Sequence, residues 1–431
     1  MQSLRLFVLT IFTSLWFPTF VSGQNLFLKQ TNESGIYKKG EKIEVKLFVK
    51  NPGTDSTVIK ILKIDNGQTT QKNVRFQGDT MVVYQAIFDG SASLIFEAKT
   101  RNETASIGAI AEPGKYLPGL KRPDDFDRFW KEEKKALRAL PVSVKSVPVK
   151  VTEPGYSCSD LEINCTGPKP ARGYFAKPES AKPKSLPIVL YVHAAGVKGS
   201  WCRSEPGNAL NFAKMGKGAL CFDLNAHGML NGQPEEYYTN LENGELKNYF
   251  QQGLESRSDY YFRGMYLRLI RTLDFLESQP EWDGKRILVL GESQGGGQAL
   301  AAAGLDHRVS AVVATVPAMC DLGANLAVRK ETFPYPFSTK NNKEKMMATV
   351  PYFDVAHLLK GVKATIVVEI GLIDVTCPAT SIYATINQAK GKKIVYAVPY
   401  RGHHQEQPAY QKIWERTVYK PKEDFVREYL K

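Results

Sequence analysis

The feature that most constrains the fold is an apolar run that ends in a glycine-flanked serine and continues into a stretch of small residues. It reads RILVLGESQGGGQALAAAG, with Ser293 at the centre of Gly-Glu-Ser-Gln-Gly. Residues 286–290 have the composition of a buried parallel strand, and residues 295–304 are small enough to pack on it as a helix. A serine on such a sharp strand-to-helix turn projects its hydroxyl above the sheet, so the pattern predicts a nucleophile elbow. The alternative is a tight turn with a bystander serine.

The rest of the chain after about residue 110 favours the same fold class. Short β-rich runs such as PIVLYVH, ALCFDLN, ATIVVEIG and KIVYAVPY alternate with helical stretches such as YFRGMYLRLIRTLDFLESQ. This alternation predicts an α/β fold, a mostly parallel sheet covered by helices on both faces. The segment DDFDRFWKEEKKALRAL places Phe126, Trp130, Leu137 and Leu140 on one face of a helix.

The first quarter of the chain has a different pattern. Residues 24–110 alternate apolar and polar residues between Asn-Gly, Pro-Gly and Asp-Gly turns, which predicts a small antiparallel β-sandwich of Ig-like type. The predicted division of the chain is therefore a signal peptide over residues 1–23, the sandwich over residues 24–110 and the catalytic α/β domain over residues 111–431. The sandwich carries no cluster of chemistry-bearing residues, so we interpret it as structural or carbohydrate-contacting.

The N-terminus has the pattern of a secretory signal peptide. Arg5 precedes an apolar run over residues 6–20, and Val21 and Gly23 are small enough for a cleavage site. We therefore predict export, to the periplasm or the medium, with an uncleaved anchor as the alternative. No later segment is long and apolar enough to span a bilayer, so no membrane association is expected after cleavage.

Charge and cysteine usage exclude some classes of function. The net charge is +13, but the basic residues are scattered without an interleaved aromatic stripe, which argues against nucleic acid as a partner. Six cysteines allow 15 pairings, and we expect at most one disulfide, with Cys158 and Cys165 as the nearest pair. No zinc-ligand spacing is present, so we expect no metal and no cofactor.

A nucleophilic serine needs a base, and the base needs an acid that holds its tautomer. In α/β-hydrolases these residues follow in the order serine, acid, histidine. PYRGHHQE lies after the last predicted strand and offers His403 as the base, with His404 as the runner-up. ATIVVEIGLIDVTCP offers Asp374 as the acid just beyond a strand, and Glu369 inside the strand is the weaker candidate.

An oxyanion hole needs two backbone N–H groups directed at the developing charge. Gln294, directly after the serine, supplies one. The loop YVHAAGVKG supplies the other, from Ala194 or, as second choice, Ala195. Residues 229–260, rich in Tyr, Asn and Gln, are predicted to form a loop over the site.

From about residue 118 the sequence resembles the acetyl xylan esterase and cephalosporin C deacetylase family, carbohydrate esterase family seven. The resemblance rests on RPDDFDRFW, DYYFRGMYLRLIRTLDFLESQPEWDGKRILVLGESQGGGQALAAAGLDHRV, VPAMCDL and GLIDVTCPATSIYATINQAKGKKIVYAVPYRGHH. It implies an α/β-hydrolase fold, removal of acetyl groups from sugar hydroxyls, and Ser293, Asp374 and His403 as the triad. It also favours free thiols at Cys320 and Cys377.

The chain departs from the family pattern in three places. DLNAHGMLNGQ stands where the family usually has an Arg-Gly-Gln motif, the oxyanion loop has Ala194 where a tyrosine is common, and the N-terminal sandwich is an addition. The oligomeric state stays open, with a homo-oligomer as one alternative.

Two other functions compete with a serine carbohydrate esterase acting on acetylated xylan or related glycans. One is a serine peptidase of the prolyl-oligopeptidase type, although residues 24–110 are too few for a propeller of the usual size. The other is a non-catalytic glycan-binding protein, which would require a broken triad.

Overall fold

The computed structural model describes residues 26–50, 57–65, 68–76, 78–100, 103–404 and 407–431. The predicted signal peptide, residues 1–23, lies outside the described residues. The strands are β1 Leu26–Gln30, β2 Ile36–Tyr37, β3 Lys42–Val49, β4 Thr57–Asp65, β5 Gln68–Phe76, β6 Thr80–Ile87, β7 Ala92–Lys99, β8 Thr104–Ala111, β9 Val144–Pro148, β10 Tyr156–Ile163, β11 Ala171–Pro178, β12 Leu186–Val192, β13 Leu220–Asn225, β14 Trp282–Glu292, β15 Ala311–Thr315, β16 Thr365–Gly371 and β17 Lys393–Val398.

The α-helices follow the strands in the second part of the chain. They are α1 Phe126–Ala139, α2 Pro206–Ala213, α3 Glu235–Asn243, α4 Tyr261–Glu277, α5 Gln294–Leu305, α6 Lys343–Thr349, α7 Val355–Leu358, α8 Ala379–Ile386, α9 Gln411–Trp414 and α10 Lys420–Tyr429. A π-helical turn joins α9 to α10. In the described part of the chain, no helix has both the length and the apolar character needed to cross a bilayer.

The N-terminal strands form two sheets, as the alternating sequence predicts. One sheet has the order β1-β3-β6 and the other β2-β8-β7-β4-β5. On β3, Ile43, Val45 and Leu47 are buried while the residues between them are partly exposed, so one face of the strand lies in the core between the sheets. Pairing is antiparallel except for β2, which pairs with β8 in parallel. The Ig-like type and the exact division into domains stay predictions.

The second part of the chain forms a nine-stranded sheet in the order β17-β16-β15-β14-β12-β13-β11-β10-β9. The strands from β17 to β13 pair in parallel, and the last three are antiparallel. The α/β fold predicted from the alternation of strands and helices is confirmed. Apolar side chains are buried on both faces of the parallel strands because helices cover both faces.

The helices that cover the sheet include the two that the sequence singled out. On α1, Phe126, Trp130 and Leu137 are buried, as their spacing predicts, whereas Leu140 lies just beyond the end of the helix. On α5 nearly every residue is buried, because small side chains let the helix approach the sheet closely.

All six cysteines are free thiols, so Cys158 and Cys165 form no disulfide. Five are buried, and Cys165 is partly buried. Burial raises the pKa of Cys158 to about 11, which keeps this thiol protonated and unreactive near neutral pH.

The two parts of the chain meet where β8 packs against the loops after β16 and β17. Gln407 uses its side-chain amide to hold the backbone of Ser106 on β8, accepting from its N–H at 3.1 Å and donating to its carbonyl at 2.7 Å. The same amide nitrogen donates to the carbonyl of Tyr400 at 3.2 Å. The N-terminal sheet is thereby attached to the loop that contains His403.

Candidate active site

Ser293 lies on the sharp turn between β14 and α5, with φ 55° and ψ −120°. This left-handed conformation is strained for a residue with a side chain. Its backbone is fixed on both sides, since its N–H donates to the carbonyl of Thr315 at 2.9 Å and its carbonyl accepts from Ala318 N–H at 2.9 Å. A Cβ placed on Gly295 would lie 2.4 Å from the carbonyl oxygen of Val192, so only glycine lets α5 begin this close to β12. The turn has the geometry that the sequence predicts for a nucleophile elbow.

The structure brings His403 and Asp374 to this serine. Ser293 Oγ lies 2.9 Å from His403 Nε2, and His403 Nδ1 lies 2.8 Å from Asp374 Oδ2. A carboxylate can only accept, so Nδ1 carries the proton and Nε2 is free to accept from the serine hydroxyl. Asp374 is itself oriented, because its Oδ1 accepts from the N–H groups of Thr376 and Cys377, both at 2.8 Å. This arrangement can move a proton from Ser293 to His403.

The runner-up residues occupy other positions. The ring of His404 stands edge-on to His403 with a centroid distance of 5.1 Å, and His403 is the one bonded to Ser293. Glu369 is fully buried and bonded to Trp414 Nε1 at 2.7 Å, to Arg401 Nε at 2.6 Å and to the ammonium of Lys422. Glu369 therefore pairs with two buried cations, and Arg401 also pairs with Glu292 at 3.3 Å.

Of the predicted oxyanion donors, Gln294 directly follows the serine in the chain, and Ala194 and Ala195 lie on the loop after β12. Gln294 is the first residue of α5, so its N–H has no acceptor within the helix. Ala194 and Ala195 follow the end of β12 after His193, whose carbonyl accepts from the Gln298 side chain of α5 at 3.2 Å. The loop after β12 is thus fastened to the helix that follows Ser293. The choice between Ala194 and Ala195 stays open.

Two side chains that the sequence did not single out as site residues hold the two segments that carry the candidate donors: Tyr249 holds α5, and His227 holds the loop after β12. Tyr249 donates its hydroxyl to Gln294 Oε1 at 2.6 Å. His227 Nε2 donates to the carbonyl of Gly196 at 2.8 Å, and His227 Nδ1 accepts from the hydroxyl of Tyr261 at 2.6 Å. Burial, followed by the charge of Arg268, lowers the pKa of His227 to about 4 and keeps the ring neutral.

The sequence contained partial signals for both of these side chains. His227 lies in the DLNAHG departure from the family pattern, and Tyr249 lies in the Tyr-rich segment 229–260. This segment is not a simple loop, since it contains α3 and a 3-10 turn at Tyr249–Gln251.

A second histidine–carboxylate pair lies under the same loop. His193 and Asp223 are both buried and form an ion pair through His193 Nε2. His193 Nδ1 faces the carbonyl of Trp201 at 3.3 Å. Burial opposes the charged form, but the carboxylate of Asp223 outweighs it, and the net effect raises the pKa of His193. Both ring nitrogens of His193 face acceptors, an arrangement that favours the imidazolium.

Ligand atoms of Asp374, Cys377 and His403 lie within 4.8 Å of one another, a spacing that a metal ion could bridge. Both ring nitrogens of His403 are already hydrogen-bonded. Burial raises the pKa of the Cys377 thiol well above its usual range, which disfavours the thiolate that metals bind. The geometry fits a proton relay better than a metal centre.

A mostly parallel sheet, a serine elbow between β14 and α5, an acid after β16 and a histidine after β17 define the α/β-hydrolase fold. The sequence model of the family described as acetyl xylan esterase (AXE1) matches residues 109–420. The chain belongs to the acetyl xylan esterase family.

Individual relatives agree with this membership. The acetyl esterase Axe7A of Xylanibacter ruminicola is 34% identical over 295 residues, which are 66% of this chain. The match spans 64% of the length of that relative. The acetyl xylan esterase structure from Paenibacillus sp. R4 is 26% identical with a TM-score of 0.59, and the match covers 74% of this chain and 99% of that one.

A more distant structure shares the fold. Acetyl xylan esterase 1 from Thermoanaerobacterium sp. JW/SL YS485 is 20% identical with a TM-score of 0.60, and the match covers 74% of this chain and 98% of that chain. At this identity the likeness concerns the fold alone.

Proposed function

We propose that the protein is a serine carbohydrate esterase that removes acetyl groups from acetylated xylan or related glycans and oligosaccharides. The observation that carries the proposal is the continuous hydrogen-bonded chain from Ser293 through His403 to Asp374, with distances of 2.9 and 2.8 Å. Membership of the acetyl xylan esterase family supports an acetylated carbohydrate as the substrate.

The chemistry follows from the protonation states. His403 Nε2 takes the proton of Ser293 Oγ as this oxygen bonds to the acetyl carbonyl carbon, and Asp374 stabilises the resulting imidazolium. His403 then gives the proton to the sugar oxygen as the ester bond breaks, which leaves an acetyl group on Ser293. Water, deprotonated by His403, attacks the carbonyl carbon of this ester. The bond from the acetyl group to Ser293 Oγ breaks, His403 returns the proton to Oγ, and acetate is released.

The negative charge that forms on the carbonyl oxygen requires fixed donors. We assign this role to the N–H groups of Gln294 and Ala194, with Ala195 as the alternative to Ala194. The bond from Tyr249 to Gln294 and the bond from His227 to Gly196 support the two segments that supply these donors. No cofactor or metal takes part in the proposed reaction.

We also propose that the protein is exported. The support is the pattern of residues 1–23, with a positive start, an apolar run and small residues before Gln24. Residues 24–110 would then begin the mature protein as the β-sandwich domain, followed by the catalytic domain over residues 111–431. A homo-oligomer is one of the predicted states, and a measurement of the molecular mass in solution tests it.

The test is acetate release from acetylated xylan and acetylated pectin by the wild type and by Ser293→Ala. Ser381→Ala, at a fully buried serine on α8 whose hydroxyl has no hydrogen-bond partner among the described residues, is the matched control. Release that is abolished in Ser293→Ala and retained in Ser381→Ala is the expected result, and the better polymer identifies the substrate.

The other outcomes separate the competing functions. Cleavage of proline-containing peptides without acetate release would point to a peptidase. No hydrolysis of any activated acetate ester would favour a glycan-binding protein. Activity that survives Ser293→Ala would contradict the assignment of the nucleophile.

A further inference from the structure

A tryptophan stands exposed on the loop that carries the candidate oxyanion donor. Trp201 lies between β12 and α2 in a short 3-10 turn, Ser200–Cys202, and is 66% exposed. Tryptophan combines a large apolar face with one N–H donor, so this much exposure on a folded surface offers area for a ligand to cover.

The orientation of the indole is fixed at its nitrogen. Trp201 Nε1 donates to the carbonyl of Ala195 at 3.1 Å. Ala195 follows Ala194, the candidate donor to the oxyanion. The edge of the indole that carries Nε1 is therefore directed at the part of the loop where the acetyl carbonyl would be bound.

One face of the ring is supported from below. A Cβ placed on Gly199 would lie 2.5 Å from Cε2 and Cζ2 of Trp201, so the backbone of Gly199 lies directly against the benzo ring. The exposed fraction of Trp201 therefore belongs mainly to the opposite face. An aromatic ring with one packed face and one open face is a flat binding surface.

The loop beneath this surface is held at several points. The carbonyl of Trp201 accepts from His193, which is itself paired with buried Asp223. Lys198 pairs with Glu242 at 2.9 Å, which ties the loop to α3. Because the loop and the ring are already ordered, binding costs little conformational entropy. Such a surface therefore contributes more affinity than a mobile side chain would.

We propose that the open face of Trp201 stacks against a pyranose ring of the acetylated carbohydrate, an inference that rests on the proposed function. The apolar C–H face of a sugar ring matches the indole face, and the pair formed by Lys198 on this loop and Glu242 on α3 supplies polar groups for hydroxyls. The chemical class of ligand is a neutral sugar ring adjacent to the acetyl ester. Small activated esters have no such ring to place there.

The test compares two substrates in Trp201→Ala, Trp201→Phe and the wild type. The substrates are an acetylated xylo-oligosaccharide and vinyl acetate, an activated ester without a ring. We expect Trp201→Ala to lower kcat/KM for the oligosaccharide roughly tenfold relative to kcat/KM for the small ester, mainly through a higher KM. The ratio meant below is kcat/KM for the oligosaccharide divided by kcat/KM for the small ester. Trp201→Phe, which keeps an aromatic face but no N–H, should retain most of the ratio. Tyr419→Ala, at a 51% exposed aromatic residue in the C-terminal π-helical turn, is the control and should leave the ratio unchanged.

Three results would overturn the proposal. An equal loss on both substrates would show that the ring only supports the oxyanion loop, and no loss on either would show that it does not touch the sugar. If Trp201→Phe behaves like Trp201→Ala, the N–H bond to Ala195 matters and the aromatic face does not.

Binding measured without turnover separates this proposal from the proposed function. Isothermal titration of the oligosaccharide into Ser293→Ala and into Ser293→Ala with Trp201→Ala should give weaker binding in the double variant. Equal affinities would contradict stacking on Trp201. A wild type that binds the oligosaccharide through Trp201 but releases no acetate would refute the proposed function alone.

Discussion

The backbone N–H of Gly108 on β8 donates a 2.7 Å hydrogen bond to the carbonyl of Pro399, four residues before His403. A Cβ placed on Gly108 would also lie 2.3 Å from the carbonyl oxygen of Leu372, two residues before Asp374. One position of the N-terminal sheet therefore contacts both loops that carry the candidate acid and base. The sandwich is part of the support of the site.

Replacing Gly108 with Ala should lower both stability and turnover. The added methyl group meets backbone atoms, so β8 or the two loops must move, at a cost of about 1–3 kcal/mol in the free energy of unfolding. A displaced Asp374 or His403 should reduce kcat on 4-nitrophenyl acetate by a larger factor than the factor by which KM changes. Kinetics and urea unfolding measure the two effects.

Gly90→Ala, in the same sandwich, is the matched control, because a Cβ there meets no atom of the described residues within 4 Å. It should keep wild-type kcat. If Gly108→Ala loses stability but keeps kcat in the folded fraction, the sandwich does not position the triad.

Asp374→Asn should inactivate the enzyme while leaving the fold in place. The amide oxygen can still accept from Thr376 and Cys377, but its NH₂ group would face His403 Nδ1 and favour the wrong tautomer. We expect kcat to fall roughly 10⁴-fold with little change in KM. A loss smaller than tenfold, with an unchanged melting temperature, would remove Asp374 from the triad.

Stability should fall in acid because of His227. Its pKa is lowered from 6.5 to about 4 in the folded state, so unfolding takes up a proton below pH 6.5. The neutral ring contributes its full stability above pH 6.5, and this contribution is lost as the pH falls from 6.5 to 4. The loss from His227 amounts to about 3 kcal/mol. His357, whose pKa is also lowered by burial to about 4, adds a loss of similar size.

His227→Gln removes this titration while keeping an amide N–H for the Gly196 carbonyl. Urea unfolding at steps from pH 7 to 4 should give a flatter profile for the variant than for the wild type. His307→Gln, at an exposed histidine, should keep the wild-type slope. Parallel profiles for wild type and His227→Gln would argue against a neutral buried His227.

Glu369→Gln should be strongly destabilising. Glu369 is fully buried and pairs with both Arg401 and Lys422, so its neutralisation removes the carboxylate that faces Lys422 and leaves Arg401 paired with Glu292 at 3.3 Å. The expected loss is roughly 3–5 kcal/mol in the free energy of unfolding. Adding Lys422→Met should restore part of it, and thermal unfolding of both variants checks this. If the double variant is no more stable than Glu369→Gln, the unbalanced charge of Lys422 is not the cause of the lost stability.

Local sequence was enough to predict the fold class and the positions of the three candidate residues. The elbow around Ser293 is local, because the strand, the glycines and the small-residue helix are contiguous in the chain. The order serine, acid, histidine then restricts the partners to loops after later strands, and these loops meet at the carboxyl edge of a parallel sheet. The structure places Asp374 and His403 where this reasoning expects them.

The support of the site could not be read in the same way. Tyr249 and Gln294 are 45 residues apart, and Gln407 and Ser106 are 301 apart. Nothing in the local pattern of residues 24–110 indicates that β8 would lie against the triad loops. Glu369 was the weaker candidate for the acid, and only its buried contacts with Arg401 and Lys422 reveal its structural role.

The sequence by itself determined the elements that depend on neighbouring residues: the alternating strands, the amphipathic α1, the elbow and the family. The tertiary structure decided which distant groups meet, namely His403 rather than His404 at Ser293, His227 at Gly196, Trp201 on Gly199, and Gly108 between Leu372 and Pro399. The physical reason is that periodicity and turn chemistry act within a few residues. Hydrogen bonds and close packing between distant segments depend on how the whole chain folds.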